Sequence, residues 1–287
     1  MQGILEPTTR PSRQTQLEIT PFEPALGAEV RGIDLAGGVD AETYREIRAA
    51  LLEHQVLFFK DQTEMTPETQ IELGKRFGEL RAHPAAPALP GYPEIFEVHS
   101  HKGSKVSTGD FWHTDLSCDE EPPFGSILQI HVLPQTGGDT LFANMYAAYD
   151  ALSDPMKEEL DGLTALHASE QLYRGRYEDR GVDDEGRVFP TAVHPVVCTH
   201  PDTGRKCLYV NRTFTTRINE LNEAESDAML ELLFDHCEQI DFQIRFRWSV
   251  NDVAFWDNRC TMHHAVWDYW PEERRGRRVT IKGERPN

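Results

Sequence analysis

The sequence predicts a mainly β fold with helices, in the form of a double-stranded β-helix (jelly-roll) barrel flanked by helices. Apolar residues occur in many short runs separated by tight turns, helical patterns are concentrated at the start and in insertions, and strands do not alternate with helices as in βαβ units. The chain has 287 residues, of which 39% are hydrophobic, enough for one large core or two small ones. We expect a flexible N-terminal tail over residues 1–16 and a single domain over residues 17–287.

Alternating or unbroken apolar runs bounded by turn residues predict the strands. In chain order these are residues 18–20, 30–35, 56–59, 95–98, 126–132, 140–143, 193–197, 206–210, 241–248, 253–256, 261–266 and 277–282. The run 56–59 is apolar throughout and is typical of a strand buried on both faces. The segment 241–248 alternates strictly and is typical of a half-buried strand.

Five segments are predicted to be helices. In chain order these are residues 41–54, 67–77, 146–152, 155–162 and 223–237. The second has Thr66 as its N-cap and Pro67 at the first helical position, where the missing amide hydrogen costs nothing. In the last helix we expect Ala228, Leu232 and Leu233 to face the core.

Residues 82–93, 99–110 and 169–190 are polar or rich in glycine and are predicted to be loops. The last carries dense charge, several glycines and little periodicity. A loop of this length in a compact domain is usually either functional or disordered. Of these two alternatives, we favour a lid over a functional site.

The chain is strongly acidic, with a formal net charge of -19 from 29 basic and 48 acidic residues. Binding to nucleic acid depends on a basic surface, so no nucleic-acid partner is expected. Anionic membrane surfaces are disfavoured for the same reason, and no stretch approaches the roughly 18 apolar residues of a membrane span. A small anionic substrate remains compatible, because a few local arginines can outweigh the global charge.

The five cysteines are scattered and have no C-x-x-C spacing. This pattern argues against a disulfide framework and against a thiolate zinc site. The first 16 residues also have no apolar core of the signal-peptide type. Together these features predict a cytoplasmic protein.

The triplet His113-Thr114-Asp115 is the first candidate for chemistry. In an extended strand, side chains two residues apart point to the same face, so His113 and Asp115 could offer ligand atoms to one point. One further imidazole would complete a set of two histidines and one carboxylate, which leaves positions open on Fe(II). A second triplet, His200-Pro201-Asp202, continues into Thr203-Gly204 and is typical of a turn, so we do not expect ligands there.

His263 and His264 are both candidates for the third ligand. Neighbouring residues in a strand face opposite ways, so only one of the two can point inward, and spacing alone does not select it. Arg274 and Arg278 would share one face of the last strand, roughly 13 Å apart. Two arginines on an apolar wall need anionic partners, because a buried unpaired charge is costly.

Taken together, these motifs resemble the TauD/TfdA family of Fe(II)- and 2-oxoglutarate-dependent dioxygenases. They fall in family order and cover the chain from about residue 17 to its end. The motifs are His113-x-Asp115, Gly137-Gly138-Asp139-Thr140, Asn211-x-x-Phe214-Thr215-Thr216-Arg217-Ile218, Trp256-Asp257-Asn258-Arg259, His263 and Arg274 with Arg278. The resemblance implies a jelly-roll fold, Fe(II), 2-oxoglutarate and O2 as cofactor and cosubstrates, and a homo-oligomer, either dimer or tetramer.

The resemblance also implies roles for individual residues. The implied iron ligands are His113, Asp115 and His263, which selects His263 over His264. The residues implied to bind 2-oxoglutarate are Thr140, Arg274 and Arg278. The residues expected to contact substrate are His83, Leu116, Phe214 and Arg278.

The sequence departs from the taurine-type branch at two substrate positions. Ala86 and Gly109 stand where the taurine enzymes have a tyrosine and an asparagine. Both changes remove polar groups and open volume, so a bulkier and less polar substrate than taurine is expected. We predict hydroxylation of a small alkyl sulfonate, sulfate ester or related acid, with release of succinate and CO2.

Two alternative functions use the same residues. One is a zinc-dependent cupin-like hydrolase or isomerase with the same three ligands. The other is a non-enzymatic ligand-binding barrel in which the histidines are structural. Oxygen uptake that depends on 2-oxoglutarate would separate the predicted dioxygenase from both.

Overall fold

The computed structural model describes residues 17–287, apart from the side chain of Asp179. The tail predicted over residues 1–16 therefore lies outside the described residues. The strands are β1 Glu18–Pro21, β2 Ala28–Arg31, β3 Val56–Phe59, β4 Leu80–Arg81, β5 Ala88–Leu89, β6 Tyr92–Ser100, β7 Gly125–Val132, β8 Thr140–Asn144, β9 Thr164–Ala168, β10 Thr191–Pro195, β11 Val197–Thr199, β12 Lys206–Leu208, β13 Thr215–Ile218, β14 Gln243–Phe246, β15 Val253–Asp257, β16 Thr261–Ala265 and β17 Arg274–Ile281. The helices are α1 Ala41–His54, α2 Pro67–Phe77, α3 Met145–Asp150, α4 Asp154–Leu160, α5 Glu170–Tyr173 and α6 Glu223–Cys237.

The largest sheet has nine strands in the order β1-β2-β3-β15-β7-β17-β6-β5, with β4 added to the edge of β17. Its strands are antiparallel except for the parallel pair β2 and β3. A second sheet has the order β14-β8-β16. The mainly β prediction is therefore confirmed. Within residues 17–287, however, no set of strands closes into a hydrogen-bonded barrel.

Aromatic side chains fill the space between these two sheets. Phe58 of β3 stacks on Phe246 of β14 with ring centroids 3.8 Å apart, and Phe142 of β8 meets Phe58 edge-on. Apolar residues of β6 and β7 belong to the same buried cluster. The apolar core thus spans both sheets.

Helix α2 covers the outer face of the large sheet. It begins where predicted, with a capping box between Thr66 and Thr69. Gln70 on its buried side donates to the carbonyl oxygens of Ile127 and Arg277 at 3.1 and 2.8 Å. This contact fixes the helix against β7 and β17, the two strands that carry much of the site described below.

The second half of the chain adds the sheet β10-β9-β13, the hairpin β11-β12 and helix α6. The predicted buried face of α6 is partly wrong. Ala228 is exposed and Leu232 is 47% exposed, because the buried stripe follows a different helical spacing. Its members are Leu230, Leu233, Phe234 and Cys237.

Several other boundaries differ from the sequence prediction. The loop expected over residues 82–93 contains β5 and the start of β6, and the strand expected over 193–197 is divided between β10 and β11. Strands β9 and β13 were not predicted. None of the helices in the described part of the chain combines the length and apolarity needed to cross a bilayer.

Candidate active site

Two histidines and an aspartate converge between the two main sheets. His263 lies on β16, and His113 pairs with it through two backbone hydrogen bonds of 3.0 and 2.8 Å. Nε2 of His113 and Nε2 of His263 lie 3.8 and 3.9 Å from Oδ1 of Asp115. The three side chains are buried and offer their ligand atoms to one point. This donor set fits a divalent iron, because imidazole and carboxylate from three residues leave further coordination positions open.

The residues around this triplet are less regular than a strand. His113 makes a single isolated bridge, and a turn starts at Asp115. The convergence of the two side chains nevertheless follows from their spacing of two residues. Leu116, the next residue, has a positive φ of 51°, so the chain leaves the site sharply after Asp115.

Hydrogen bonding and burial set the protonation of the two histidines. Nδ1 of His113 donates to the carbonyl oxygen of Phe111 at 2.9 Å, which leaves Nε2 as the unprotonated nitrogen facing Asp115. Burial lowers the pKa of His113 and that of His263. Both imidazoles are therefore neutral near pH 7, as metal binding requires.

Asp115 is held as a carboxylate by its neighbours. Burial opposes its ionisation, but the charge of the Arg278 guanidinium and the hydrogen bond from Ser126 outweigh this effect and lower the pKa of the carboxyl. Ser126 of β7 donates to Oδ2 at 2.7 Å, and Asn258 donates to the Ser126 hydroxyl at 3.2 Å. Trp256 donates to Oδ1 of Asn258 at 2.8 Å. Sequence reasoning missed Ser126, because one serine in a strand carries no recognisable pattern.

Arg274 forms one end of the site. It is 3% exposed, donates from Nε to the carbonyl oxygen of Gly138 at 2.9 Å and lies 3.4 Å from the hydroxyl of Thr140. Gly138 has a positive φ of 74°, and a Cβ there would lie 3.1 Å from Cδ of Arg274. Among the described residues, no carboxylate lies within ion-pair distance of Arg274. A buried cation without an anionic partner is costly, so this end of the site is suited to an anionic ligand.

Arg278 stands between this end and the triplet. Its Nη1 lies 2.6 Å from Oδ1 of Asp115, while its Nε has no hydrogen-bond partner among the described residues. Arg274 and Arg278 are both buried, whereas Arg275 and Arg277 are half-buried on the other side of β17. The predicted alternation along this strand is confirmed.

Two small cavities meet at the triplet and share Thr108, Gly109, His113 and Arg278 in their walls. One extends along the β8 and β16 side, and its remaining lining includes Leu128, Thr140, Phe142, Trp256 and Arg274. The other extends beneath the 169–190 segment, and its remaining lining includes His83, Phe96, Leu116, Tyr173, Tyr177 and Phe214. The structure thus separates the residues predicted for 2-oxoglutarate from most of those predicted for substrate.

His83 is a neutral hydrogen-bond donor in the second cavity. Its Nδ1 accepts from the backbone amides of Ala85 and Ala86 at 3.1 and 2.9 Å, so Nε2 carries the hydrogen. Burial is the main cause that lowers the pKa of His83 to about 3. Its ring stacks on Phe96 with centroids 4.7 Å apart, which fixes the plane in which the Nε2–H points.

Gly109 has a role beyond the loss of a polar side chain. Its φ is 82°, and a Cβ at this position would lie 3.3 Å from Cε1 of His113. Glycine therefore lets the 99–110 loop pass directly against a candidate metal ligand. Ala86 is the other position at which the sequence departs from the taurine enzymes. It is buried and its amide donates to Nδ1 of His83, so this position also lies at the site.

Tyr173 and Tyr177 line the second cavity and were missed by sequence reasoning. Both are 5% exposed and lie on the 169–190 segment, within or near α5 and the 3-10 helix Glu178–Arg180. Their spacing of four residues is the one signal that could have identified them. The lid function of this segment stays a prediction.

Neither His200 nor His264 belongs to the triplet. Nε2 of His200 lies 3.1 Å from Oδ2 of Asp257, and Arg259 binds both oxygens of that carboxylate. The guanidinium of Arg259 therefore already occupies the Asp257 oxygens that a metal ion would need, although Cys260 lies nearby. His264 lies 3.1 Å from Asp110 and is directed away from the cluster.

Comparison with known proteins shows which family this chain resembles. The family model described as "Taurine catabolism dioxygenase TauD, TfdA family" matches residues 18–280. An alpha-ketoglutarate-dependent sulfate ester dioxygenase of Pseudomonas putida is 37% identical over 278 residues, which cover 94% of this chain and 91% of the relative. An alkylsulfatase of Acinetobacter baylyi is 36% identical, with 94% and 86% covered. A crystal structure of a taurine dioxygenase from Burkholderia xenovorans superimposes with a TM-score of 0.81 at 33% identity, covering 94% and 92% of the two chains.

Proposed function

This chain belongs to the TauD/TfdA family and is a 2-oxoglutarate-dependent dioxygenase that uses Fe(II) and O2, and we propose that it hydroxylates a small organic sulfate ester, alkyl sulfonate or related acid. The observation that carries the proposal is the buried cluster of His113, Asp115 and His263 beside an arginine that has no anionic partner. The names of the relatives support the sulfur-containing substrate class. Succinate and CO2 are the expected co-products.

We propose His113, Asp115 and His263 as the iron ligands. Fe(II) in this position would activate O2 and couple decarboxylation of 2-oxoglutarate to oxidation of the substrate. The protein's contribution is to present the unprotonated Nε2 of His113, the neutral imidazole of His263 and one carboxylate in a fixed arrangement. The hydrogen bond from His113 to Phe111 and the one from Ser126 to Asp115 support this role, because each fixes the orientation of a ligand.

We propose that the cavity along β8 and β16 binds 2-oxoglutarate. The guanidinium of Arg274 and the hydroxyl of Thr140 would hold its far carboxylate, and a planar fork of donors suits a carboxylate in bidentate fashion. The Trp248 indole donates to the Thr140 hydroxyl at 2.9 Å. This bond directs the hydroxyl hydrogen of Thr140 away from Trp248 and makes it available to the ligand.

We propose that the cavity beneath residues 169–190 binds the substrate. Arg278 and the Nε2–H of His83 would donate to its sulfate or sulfonate oxygens, which is why a neutral His83 with a fixed tautomer matters. Leu116 and Phe214 would contact its apolar part, and Tyr173 and Tyr177 would help to exclude water, as expected for a lid. Hydroxylation of the carbon next to the ester oxygen would give an unstable product, which breaks down to an aldehyde and sulfate.

The remaining features are proposed more coarsely. The packing of the nine-stranded sheet against β14-β8-β16, with the site between them, supports a double-stranded β-helix. Five free buried cysteines support a cytoplasmic location. A homo-oligomer, dimer or tetramer, stays a prediction from the family resemblance.

The proposal is tested by the consumption of O2 and the release of succinate. Purified protein with Fe(II) and 2-oxoglutarate should release succinate when hexyl sulfate is added, with an equivalent amount of hexanal. Without O2, adding Fe(II) and 2-oxoglutarate together should produce an absorption change that neither gives alone. No succinate with any sulfate ester, sulfonate or aryloxyalkanoate would refute the activity.

A further inference from the structure

The cavity beneath residues 169–190, called the substrate-side cavity from here on, contains a second arginine that the proposed mechanism does not use. Arg176 lies on the 169–190 segment and lines this cavity together with Leu172, Tyr177 and Phe111. Arg278 contributes to the same cavity from β17, on the sheet. The cavity therefore has a cationic group on two different walls.

The contacts of Arg176 place it close to the candidate metal site. Its guanidinium carbon lies 5.2 Å from the centre of the Phe111 ring. That ring meets the His113 imidazole edge-on, with centroids 5.4 Å apart. One aromatic ring thus separates Arg176 from the first proposed iron ligand.

Unlike Arg174 and Arg187 of the same segment, Arg176 has no anionic partner among the described side chains. Arg174 pairs with Glu170, and Arg187 pairs with Asp184 at 3.0 Å. The guanidinium of Arg176 donates to the carbonyl oxygen of Ser107, and among the side chains that the structure describes no carboxylate lies within ion-pair distance of it. Apart from a contact with the Tyr177 hydroxyl, its remaining donors have no hydrogen-bond partner among the described residues, so a ligand in the cavity could bind them.

The acidity of the whole chain makes this cation important for binding anionic groups. With a formal net charge of -19, the protein repels small anions unless a local cation compensates. Arg278 would be engaged by the sulfate or sulfonate of the substrate. A substrate with a second acid group would be repelled by the protein as a whole but would meet Arg176 at the other wall of the cavity.

We propose that Arg176 binds a second anionic group at the far end of the substrate, so that the enzyme prefers substrates with an acid group at each end, a sulfate or sulfonate at Arg278 and a carboxylate at Arg176. This inference rests on the proposed function and deepens it. The competing interpretation is that Arg176 only ties the 169–190 segment to the 99–110 loop through Ser107. In that case its loss would affect substrates with one and two acid groups equally.

The test compares two substrates that differ only in the terminal group, hexyl sulfate and 6-(sulfooxy)hexanoate. Dissociation constants are measured by calorimetry without O2, on protein containing Mn(II) and 2-oxoglutarate. The wild-type protein should bind the carboxylate-bearing sulfate about 10-fold more tightly, as expected for a charge-assisted hydrogen bond. Arg176→Gln should abolish this preference and leave the dissociation constant of hexyl sulfate within about threefold of the wild-type value.

Arg174→Gln is the matched control, because Arg174 lies two residues away and pairs with Glu170. It should retain the full preference. Arg176→Lys keeps the charge and should retain part of the preference for the carboxylate-bearing sulfate. It serves as the second test variant if Arg176→Gln fails to fold. Equal binding of the two sulfates to the wild-type protein would overturn the inference, and so would an unchanged preference in Arg176→Gln. Neither result would touch the proposed function, which fails only if no sulfate ester, sulfonate or aryloxyalkanoate supports succinate release.

Discussion

Arg278 donates from Nη1 to Oδ1 of Asp115 across 2.6 Å, and this is the same oxygen that faces Nε2 of His113 and Nε2 of His263. A guanidinium and a divalent cation would therefore share one carboxylate oxygen. In the proposed arrangement, an anionic substrate would give Arg278 a second partner for its remaining donors, including Nε, which has no partner among the described residues. The residue is thus placed to connect the binding of substrate with the metal site.

Arg278→Gln should separate these two roles. Removal of the cation takes away a repulsive charge beside the metal, so the dissociation constant for Mn(II) should stay the same or fall by up to about tenfold. The same change removes the charge-assisted bonds to substrate, so kcat/KM for hexyl sulfate should fall about 100-fold. Titration with Mn(II) and succinate assays measure the two effects. Arg275→Gln, which loses only a half-buried contact with Glu97, should show neither, and a weakened metal site in Arg278→Gln would contradict this interpretation.

Arg274→Ala should raise the KM for 2-oxoglutarate about 100-fold, because two charge-assisted bonds to its far carboxylate are lost. Arg274→Lys keeps the charge without the planar fork and should raise it about 10-fold. Steady-state succinate release at varied 2-oxoglutarate measures both values. The KM for hexyl sulfate should change little, since Arg274 does not line the substrate-side cavity. An unchanged requirement for 2-oxoglutarate in Arg274→Ala would place the cosubstrate elsewhere.

The sequence was sufficient to predict the parts of the site that follow from strand periodicity. His113 and Asp115 converge because they are two residues apart, and Arg274 and Arg278 lie on one face of β17 because they are four apart. The neighbouring Arg275, shifted by one residue, lies half-buried on the opposite side. Local geometry determines these relations, so no knowledge of the rest of the fold was needed.

The parts that depend on long-range packing were not predictable in this way. Ser126 reaches Asp115 because β7 lies beside the 111–115 segment, and the sequence does not specify that neighbour. Tyr173 and Tyr177 enter the cavity because the 169–190 segment folds over it. Leu232 was assigned to the wrong face because leucines occur on both sides of α6, so composition alone did not identify the buried stripe.

His263→Ala should abolish both Mn(II) binding and succinate release, because two ligands do not hold a labile divalent cation tightly. His264→Ala is its matched control. His264 is adjacent in sequence but is directed toward Asp110 at 3.1 Å, so this variant should retain most of its metal affinity and activity. Circular dichroism should confirm that both variants are folded. If the two variants lose metal equally, the assignment of His263 over His264 is wrong.

Ser126→Ala tests whether the orientation of Asp115 matters for the metal site. The Ser126 hydroxyl donates to Oδ2 of Asp115 at 2.7 Å and in turn accepts from Asn258, so its removal frees the carboxylate to rotate. Loss of such a support typically weakens metal affinity about 10- to 100-fold, and we expect the dissociation constant for Mn(II) to rise by this factor. Excess Fe(II) should then restore most of kcat, because Ser126 contacts neither substrate nor 2-oxoglutarate in the proposed arrangement. A loss of kcat that saturating Fe(II) does not restore would instead indicate that Ser126 shapes the reactive geometry itself. Ser117→Ala is a useful comparison, since Ser117 is equally buried but hydrogen-bonds His167 at 3.0 Å, and its removal should leave the affinity for Mn(II) unchanged.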